Sequence, residues 1–194
     1  MSEVTSAEHE AVEEQAENLC HWLLMDTVRL KEFLKLIYQD NSEPEYYSIF
    51  RNTDFDYLLE HSPVLVKVNL DGKLHTLWQE DRLLSTSAIL LSTSEQLEPK
   101  GLLSHLYNLM RVQVNQETLL LRYYTRDLWL ALEGQLEDQD INTLLGPMSA
   151  ISWINQEDQV SNIAKATEFA NEFELAQLAH ASYTLVSSAF FKWI

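Results

Sequence analysis

A polar cluster interrupts the apolar run between residues 119 and 132. Two arginines, two tyrosines and an aspartate lie there among leucines: Arg122, Tyr123, Tyr124, Arg126 and Asp127. A phenol and a carboxylate can transfer protons and a guanidinium can stabilise negative charge, so an enzyme with a site around Arg122, Tyr124 and Asp127 is one interpretation. The same residue types also suit a protein-binding surface or an internal ion pair.

Arg122 directly follows three leucines, where a core strand would carry another apolar side chain. If residues 119–124 form a strand, Arg122 and Tyr124 share one face of it. That face is either exposed to solvent or buried, and a buried guanidinium needs a carboxylate partner because an unpaired buried charge is costly. Asp26, at the end of another aromatic-rich apolar run, is the preferred partner. We therefore favour a structural ion pair between Asp26 and Arg122 over partner docking, and docking over catalysis.

The other candidates for catalysis or metal binding fail on spacing. The segment from His9 to Glu13 begins like a zinc-protease helix but lacks the second histidine. Cys20 and His21 are adjacent, and on a strand they would point to opposite faces, so they would not act as nucleophile and base. The four glycines are scattered and the six histidines are dispersed. The sequence therefore predicts no catalytic residue, no metal site and no cofactor.

The charge of the chain constrains its partners. A net charge of −17 argues against nucleic acid, which is bound by clustered lysines and arginines. An acidic surface can steer a basic protein, so an acidic inhibitor of the immunity-protein type is an alternative function. The sequence shows no signal peptide and no apolar run long enough to span a bilayer. We expect a cytoplasmic protein that does not contact a membrane.

The elements that must position the polar cluster alternate between strands and helices. Apolar and β-branched runs predict strands at 19–25, 64–68, 73–78, 87–91, 111–114, 119–124 and 148–154. The turn signal Asp71-Gly72 predicts that the second and third of these form a hairpin. Helical spacing predicts helices at 28–39, up to residue 60, at 98–110 and at 127–136. The predicted fold class is α/β, of the mixed α+β type. We expect a small mixed sheet that is flanked by helices, and a C-terminal helical lobe.

Composition divides the chain into three parts. Residues 1–18 are an acidic N-terminal arm, residues 19–154 are the α/β body, and residues 155–194 are a C-terminal helical lobe. Asn155 followed by Asp158 resembles a capping box, which predicts that a helix begins there. The apolar end of the chain is either core or an exposed docking element. Candidate partner-binding residues come from the polar cluster and this end: Tyr124, Arg126, Asp127, Trp129, Phe190, Phe191 and Trp193.

The order of several short motifs resembles the adaptor chaperones of bacterial type VI secretion. The motifs are Leu23-Leu-Met-Asp26, Tyr47-Ser-Ile-Phe50 followed by Ser62-Pro-Val-Leu-Val66, Leu102-Leu-Ser-His-Leu106 followed by Leu109-Met-Arg-Val112, and Leu121-Arg-Tyr-Tyr124. Together they cover roughly residues 20–150. The family usually continues the last motif with Asp-Pro-Arg, whereas Thr125-Arg126-Asp127 follows here.

The resemblance implies a function through binding and not through catalysis. Members of this family bind a toxic effector protein and load it onto the spike protein VgrG. By this resemblance the chain is a non-enzymatic adaptor or chaperone whose partners are a secreted effector and the VgrG spike. The acidic inhibitor and the enzyme around Arg122 remain the alternatives.

Overall fold

The computed structural model describes residues 19–165 and 183–194. The strands in these ranges are β1 (Leu19–Met25), β2 (Tyr46–Ser48), β3 (Val64–Val68), β4 (Ala88–Ser94), β5 (Arg111–Val114), β6 (Glu117–Leu120), β7 (Met148–Ile154), β8 (Val160–Ala164) and β9 (Tyr183–Leu185). The helices are α1 (Phe33–Asp40), α2 (Lys73–Glu80), α3 (Arg82–Ser87), α4 (Pro99–Asn108), α5 (Arg126–Leu132) and α6 (Asp138–Leu145). Two 3-10 helices span Asp56–His61 and Ser188–Trp193.

The strands form two sheets. Six of them pair in the order β2–β3–β1–β4–β7–β8, and every pair in this sheet is antiparallel. The other three pair in the order β6–β5–β9, with β6 antiparallel and β9 parallel to β5. The first β1 residue pairs with the last residue of β4, and Met25 pairs with both Val64 and Ala88. Asp26 therefore emerges from the centre of the large sheet.

Side chains on both faces of the large sheet are buried, because successive residues of a strand point to opposite sides. On β1, Trp22 and Leu24 enter one core, while Leu23 and Met25 enter the other. The first core lies between this sheet, the small sheet, α4 to α6 and the C-terminal segment. The second core lies under α1, α2 and α3. This layering explains why the strands are continuous apolar runs.

The structure confirms the predicted mixed α+β class and many of the strands. The prediction of a hairpin after Asp71-Gly72 is wrong, because Lys73–Glu80 is helix α2. Leu74 and Trp78 lie one turn apart and are buried, and Asp40 accepts a hydrogen bond from the backbone N–H of Leu74 at 2.8 Å. That bond satisfies a donor at the helix start, and it comes from a residue far away in the sequence.

Further boundaries differ from the predictions, among them the end of the helix predicted at 127–136, which lies at Leu132. The helix predicted at 28–39 begins only at Phe33. The strand predicted at 119–124 starts at Glu117 and ends at Leu120, so Arg122 lies in a loop. The helix predicted after Asn155 is wrong for Val160–Ala164, which form β8, because the Asn155 side chain accepts hydrogen bonds from the backbone N–H groups of residues 157 and 159 and closes a hairpin.

The predicted division into arm, body and lobe remains a prediction. Residues 1–18, the acidic arm, lie outside the described residues, as do residues 166–182 of the expected lobe. What the structure describes after residue 154 is strand β8, strand β9 and the final 3-10 helix.

Candidate functional site

The polar cluster lies where β6 ends and α5 begins. The β5–β6 hairpin turns through Asn115 and Gln116, whose φ angles of 49° and 68° are those of a two-residue turn. After Leu120 the chain is held by the buried Tyr123, whose hydroxyl donates to the carbonyl oxygen of Leu106 at 2.6 Å. The indole Nε1 of Trp129 in turn donates to the Tyr123 carbonyl at 2.7 Å. These bonds fix the loop that carries Arg122.

Asp26 and Arg122 are in contact across 96 positions of sequence. Arg122 Nη2 donates to Asp26 Oδ2 at 2.9 Å, and the backbone N–H of Val28 donates to Asp26 Oδ1 at 3.0 Å. The two side chains differ in burial, with 1% of Asp26 but 60% of Arg122 exposed. The expectation of a buried guanidinium is therefore wrong: the carboxylate is the buried member, because it follows a central strand, whereas the arginine follows an edge strand. That the pair stabilises the fold remains a prediction.

Tyr124 completes the surroundings of the guanidinium. Arg122 Nε donates to the Tyr124 hydroxyl at 3.3 Å, and the guanidinium carbon lies 5.5 Å from the centre of the Tyr124 ring. Burial lowers the pKa of Arg122, but the Tyr124 hydrogen bond and the Asp26 charge outweigh it and raise this pKa. Burial also raises the pKa of Tyr124, against the lowering effect of Arg122. The arginine is therefore charged and the phenol is neutral at physiological pH, which disfavours Tyr124 as a general base.

A groove of about 420 Å³ lies beside Arg122, and we call it the Arg122 groove. Its walls come from the end of β6, the following loop, α5 and the last residues of the chain. They are mainly apolar, with three charged side chains at the rim: Leu120, Leu121, Arg122, Thr125, Asp127, Leu128, Ala131, Lys192 and Trp193. Of these residues, the sequence predicts Arg122, Asp127 and Trp193 as site residues, but it gives no signal for Leu120, Leu128 and Lys192. Only their position in the fold brings them to one surface.

The predicted partner-binding residues divide into surface and core. Asp127 and Phe191 are exposed, and Arg126 and Trp193 are partly buried. Tyr124 is buried to 8% exposure. Trp129 and Phe190 are fully buried, where Trp129 stacks on Trp153 and Phe190 contacts Trp193. These last two residues are therefore corrected to core residues, which leaves them no surface for a partner.

A buried aspartate that was not predicted from the sequence holds the C-terminal wall of the groove in place. Asp140 on α6 is 0% exposed, and its carboxylate accepts hydrogen bonds from the backbone N–H groups of Val186 and Ser187 at 2.7 to 3.1 Å. Ser187 Oγ accepts a further bond from the backbone N–H of Glu137. The aspartate therefore ties the chain between β9 and the last 3-10 helix to α6.

A buried histidine fastens β9 itself. His105 Nε2 lies 3.0 Å from the carbonyl oxygen of Leu144, which can only accept, so we assign the ring proton to Nε2. Nδ1 then accepts from the Tyr183 hydroxyl at 2.9 Å. Burial lowers the pKa of His105 to about 4. Gly146 has a φ of 51°, and a Cβ at this position would overlap the His105 ring, so glycine is required beside the histidine. We refer to His105, Asp140 and their hydrogen-bonded partners as the C-terminal anchor.

Cys20 and His21 line a separate polar cavity of about 460 Å³ at the start of β1. Burial raises the pKa of the Cys20 thiol and lowers that of His21. His21 Nδ1 lies 3.1 Å from Ser92 Oγ, on the opposite face of the strand from Cys20. Within residues 19–165 and 183–194, no group of three or more histidine, cysteine, aspartate or glutamate side chains is arranged to hold a metal ion. In the same part of the chain no helix is both long and apolar enough to cross a bilayer.

Comparison with known proteins places the chain in a family. Neither the curated proteins nor the solved structures gave a significant match. A family model described as a domain of unknown function, DUF4123, matches residues 21–143, which is more than half of the chain. The matched range begins in β1, contains Asp26 and the polar cluster, and ends in α6. The chain therefore belongs to the DUF4123 family.

Proposed function

We propose that this protein is a non-enzymatic adaptor that binds a type VI secretion effector in the cytoplasm and aids its loading onto the VgrG spike. The observation that carries the proposal is the DUF4123 match over residues 21–143, because membership of that family is compatible with an adaptor role. The match covers all four motifs that resemble the adaptor chaperones. The arrangement of the polar cluster also supports binding in preference to catalysis.

The polar cluster supports this proposal through what each member does in the fold. Arg122 is engaged by Asp26 and Tyr124, and Tyr123 donates its hydroxyl proton to a backbone carbonyl. An enzyme needs such groups directed at a substrate. The surface beside them is an apolar groove with a charged rim, a composition that suits a protein partner.

The proposal is tested by purifying the chain together with the effector and VgrG proteins encoded beside its gene. We expect a stable complex with the effector and a second contact with VgrG. Replacing Trp193 by Ala removes an aromatic wall of the Arg122 groove and should weaken one of these contacts about tenfold, as for other partly buried aromatic contacts. The matched control is Tyr57→Ala, which removes an aromatic side chain that is 79% exposed and does not line the groove.

Salt separates the adaptor from the acidic inhibitor. Affinity that rests on the charge of −17 should fall steeply as salt screens it, whereas affinity that rests on apolar contacts should change little. If the folded protein binds neither the effector nor VgrG, the proposal is overturned. Tight, salt-sensitive binding of a basic protein would replace it with the inhibitor.

A further inference from the structure

The outer edge of β6 is an unpaired edge of the small sheet. In the order β6–β5–β9, no strand of the described part of the chain pairs with that side of β6. Glu117, Thr118 and Leu120 are exposed, and Leu120 is 62% exposed, an unusual value for a leucine on a strand. The strand carries no proline, no lysine and no bulge, which are common protections of sheet edges. Its shortness is its main protection.

The backbone groups at this edge can be assigned from the hairpin. Val114 pairs with Glu117 across the two-residue turn, and the backbone N–H of Leu121 donates to the Met110 carbonyl. Residues 117, 119 and 121 therefore direct their N–H and C=O groups towards β5, and Thr118 and Leu120 direct theirs outward. Four hydrogen-bonding groups thus lie along the edge at the spacing of an extended backbone. Another strand matches such a row.

The charges along the edge are arranged with opposite signs at its two ends. Glu117 lies at the hairpin end, whereas Arg122 and Lys192 line the groove next to Leu120 at the other end. A strand that pairs here needs a cation near Glu117 and an anion near Arg122. An identical strand running antiparallel provides both, because a two-fold axis places the start of one strand beside the end of the other.

We propose that β6 pairs with β6 of a second copy of this chain and joins the two small sheets into one six-stranded sheet. With the axis at Leu119, Thr118 of each copy pairs with Leu120 of the other, which forms four backbone hydrogen bonds. Glu117 of each copy then lies next to the Arg122 and Lys192 of the other. The exposed Leu120 side chains become partly covered. This inference is independent of the proposed adaptor function.

The expected dimer is weak. The paired segment has four residues, and two chains each carrying a charge of −17 repel one another at long range. The rim of the Arg122 groove carries two cations and one anion, Arg122, Lys192 and Asp127. The local charge there is therefore not negative, so two acidic copies repel one another less at this rim. Salt screens the repulsion over a Debye length of about 8 Å at physiological ionic strength. We therefore expect dimerisation in the micromolar range under those conditions.

Sedimentation equilibrium of the full chain tests the proposal. We expect a reversible monomer–dimer equilibrium for the natural sequence. Thr118→Pro removes an outward N–H and should abolish the dimer, whereas Thr118→Ala, which keeps that N–H, should not. Asn162→Pro is a second control. It changes an exposed residue on β8, the edge of the other sheet, and should leave the dimer intact. Circular dichroism verifies that each variant is folded.

Charge reversal tests the register. Glu117→Lys and Lys192→Glu should each raise the dimer Kd about tenfold, since each turns two exposed attractive contacts into repulsive ones. The double variant should recover part of the lost affinity, because Arg122 is unchanged, and an equimolar mixture of the two single variants should form heterodimers. A chain that stays monomeric at about 200 µM, a concentration suited to a small interface, overturns the proposal. So does a dimer that Thr118→Pro leaves intact, or a β6 edge that pairs only with a strand of another protein.

Discussion

Asp26 and Asp140 are both buried carboxylates, with 1% and 0% exposure, but their hydrogen-bond donors differ in kind. Asp26 is bound by the side chain of Arg122, which is 60% exposed, and by one backbone N–H. Asp140 is bound by two backbone N–H groups of the C-terminal segment. A side-chain donor can turn to solvent when its acceptor is lost, whereas a buried backbone donor cannot. The two aspartates should therefore contribute unequally to stability.

The largest effect is expected when Asp140 is replaced by Ala. The fully buried N–H of Ser187 and the partly buried N–H of Val186 both lose their acceptor, and an unsatisfied buried donor costs about 1 to 3 kcal/mol. We expect the free energy of unfolding to fall by about 3 to 5 kcal/mol, measured by urea denaturation. The matched control is Asp138→Ala, which removes the same charge from an exposed position in the same helix. An equal loss in both variants would contradict the anchor role of Asp140.

The second effect is a loss of stability at acidic pH through His105, the histidine of the C-terminal anchor. The pKa of His105 is about 4 in the folded protein and about 6.5 in the unfolded chain, so between these values the unfolded state binds the extra proton. The contribution is fully present above pH 6.5 and is lost as the pH falls towards 4. Over that interval about 3 kcal/mol of stability should disappear through this residue. The positive charge of Lys165 also lowers the pKa of His105, and the neutral Tyr183 hydroxyl contacts its ring.

Denaturation at several pH values separates this histidine from the many carboxylates of the chain. His105→Gln should be less stable at pH 7 but should lose less stability between pH 6.5 and 4 than the natural protein. His61→Gln, which removes an exposed histidine, should follow the natural pH profile. Parallel profiles for the natural chain and His105→Gln would show that His105 does not titrate as proposed.

The sequence predicts an interaction between two charged side chains more readily than one between a side chain and a distant backbone group. Asp26 and Arg122 interrupt apolar runs, so the sequence alone indicates that each of these charged side chains needs a partner. Asp140 lies in a polar stretch, and its donors are backbone groups that every residue except proline has. Its role therefore became apparent only when the fold brought the C-terminal segment to α6. The same reasoning explains why Lys192 was not recognised as part of the Arg122 groove.

The errors in secondary structure have a similar origin. The start of α2 is capped by Asp40, which lies 34 residues before Leu74, so local turn chemistry favoured a hairpin instead. Leu74, Leu77 and Trp78 carry the helical spacing that could have revealed it. In β8, the alternation of exposed and partly buried residues from Val160 to Ala164 is typical of a strand, but the small residues that follow favoured helix. Short elements are decided by such distant contacts more than by their own composition.

The third effect concerns the other aspartate. In Arg122→Ala the Asp26 carboxylate keeps the hydrogen bond from the Val28 N–H, and water replaces the lost guanidinium. We expect a loss of about 2 kcal/mol, less than for a fully buried pair, because most of the guanidinium is exposed to solvent. Thermal or urea unfolding measures it, and Arg111→Ala, which breaks an ion pair exposed on both sides with Asp54, is the control. A loss as large as that of Asp140→Ala would remove the distinction between the two aspartates.

The smallest effect is expected for Asp26→Asn, which sharpens the comparison from the acceptor side. Asparagine keeps a carbonyl oxygen for the Val28 N–H and removes the negative charge, and Arg122 can then be hydrated where it lies. We expect a loss of about 1 kcal/mol, the contribution of one half-exposed ion pair. In the Asp26→Asn background, Arg122→Ala should cost much less than in the natural chain, because no buried carboxylate is left unpaired. A double-mutant cycle measures this difference. Additive losses would mean that the two side chains, although 2.9 Å apart, stabilise the fold independently.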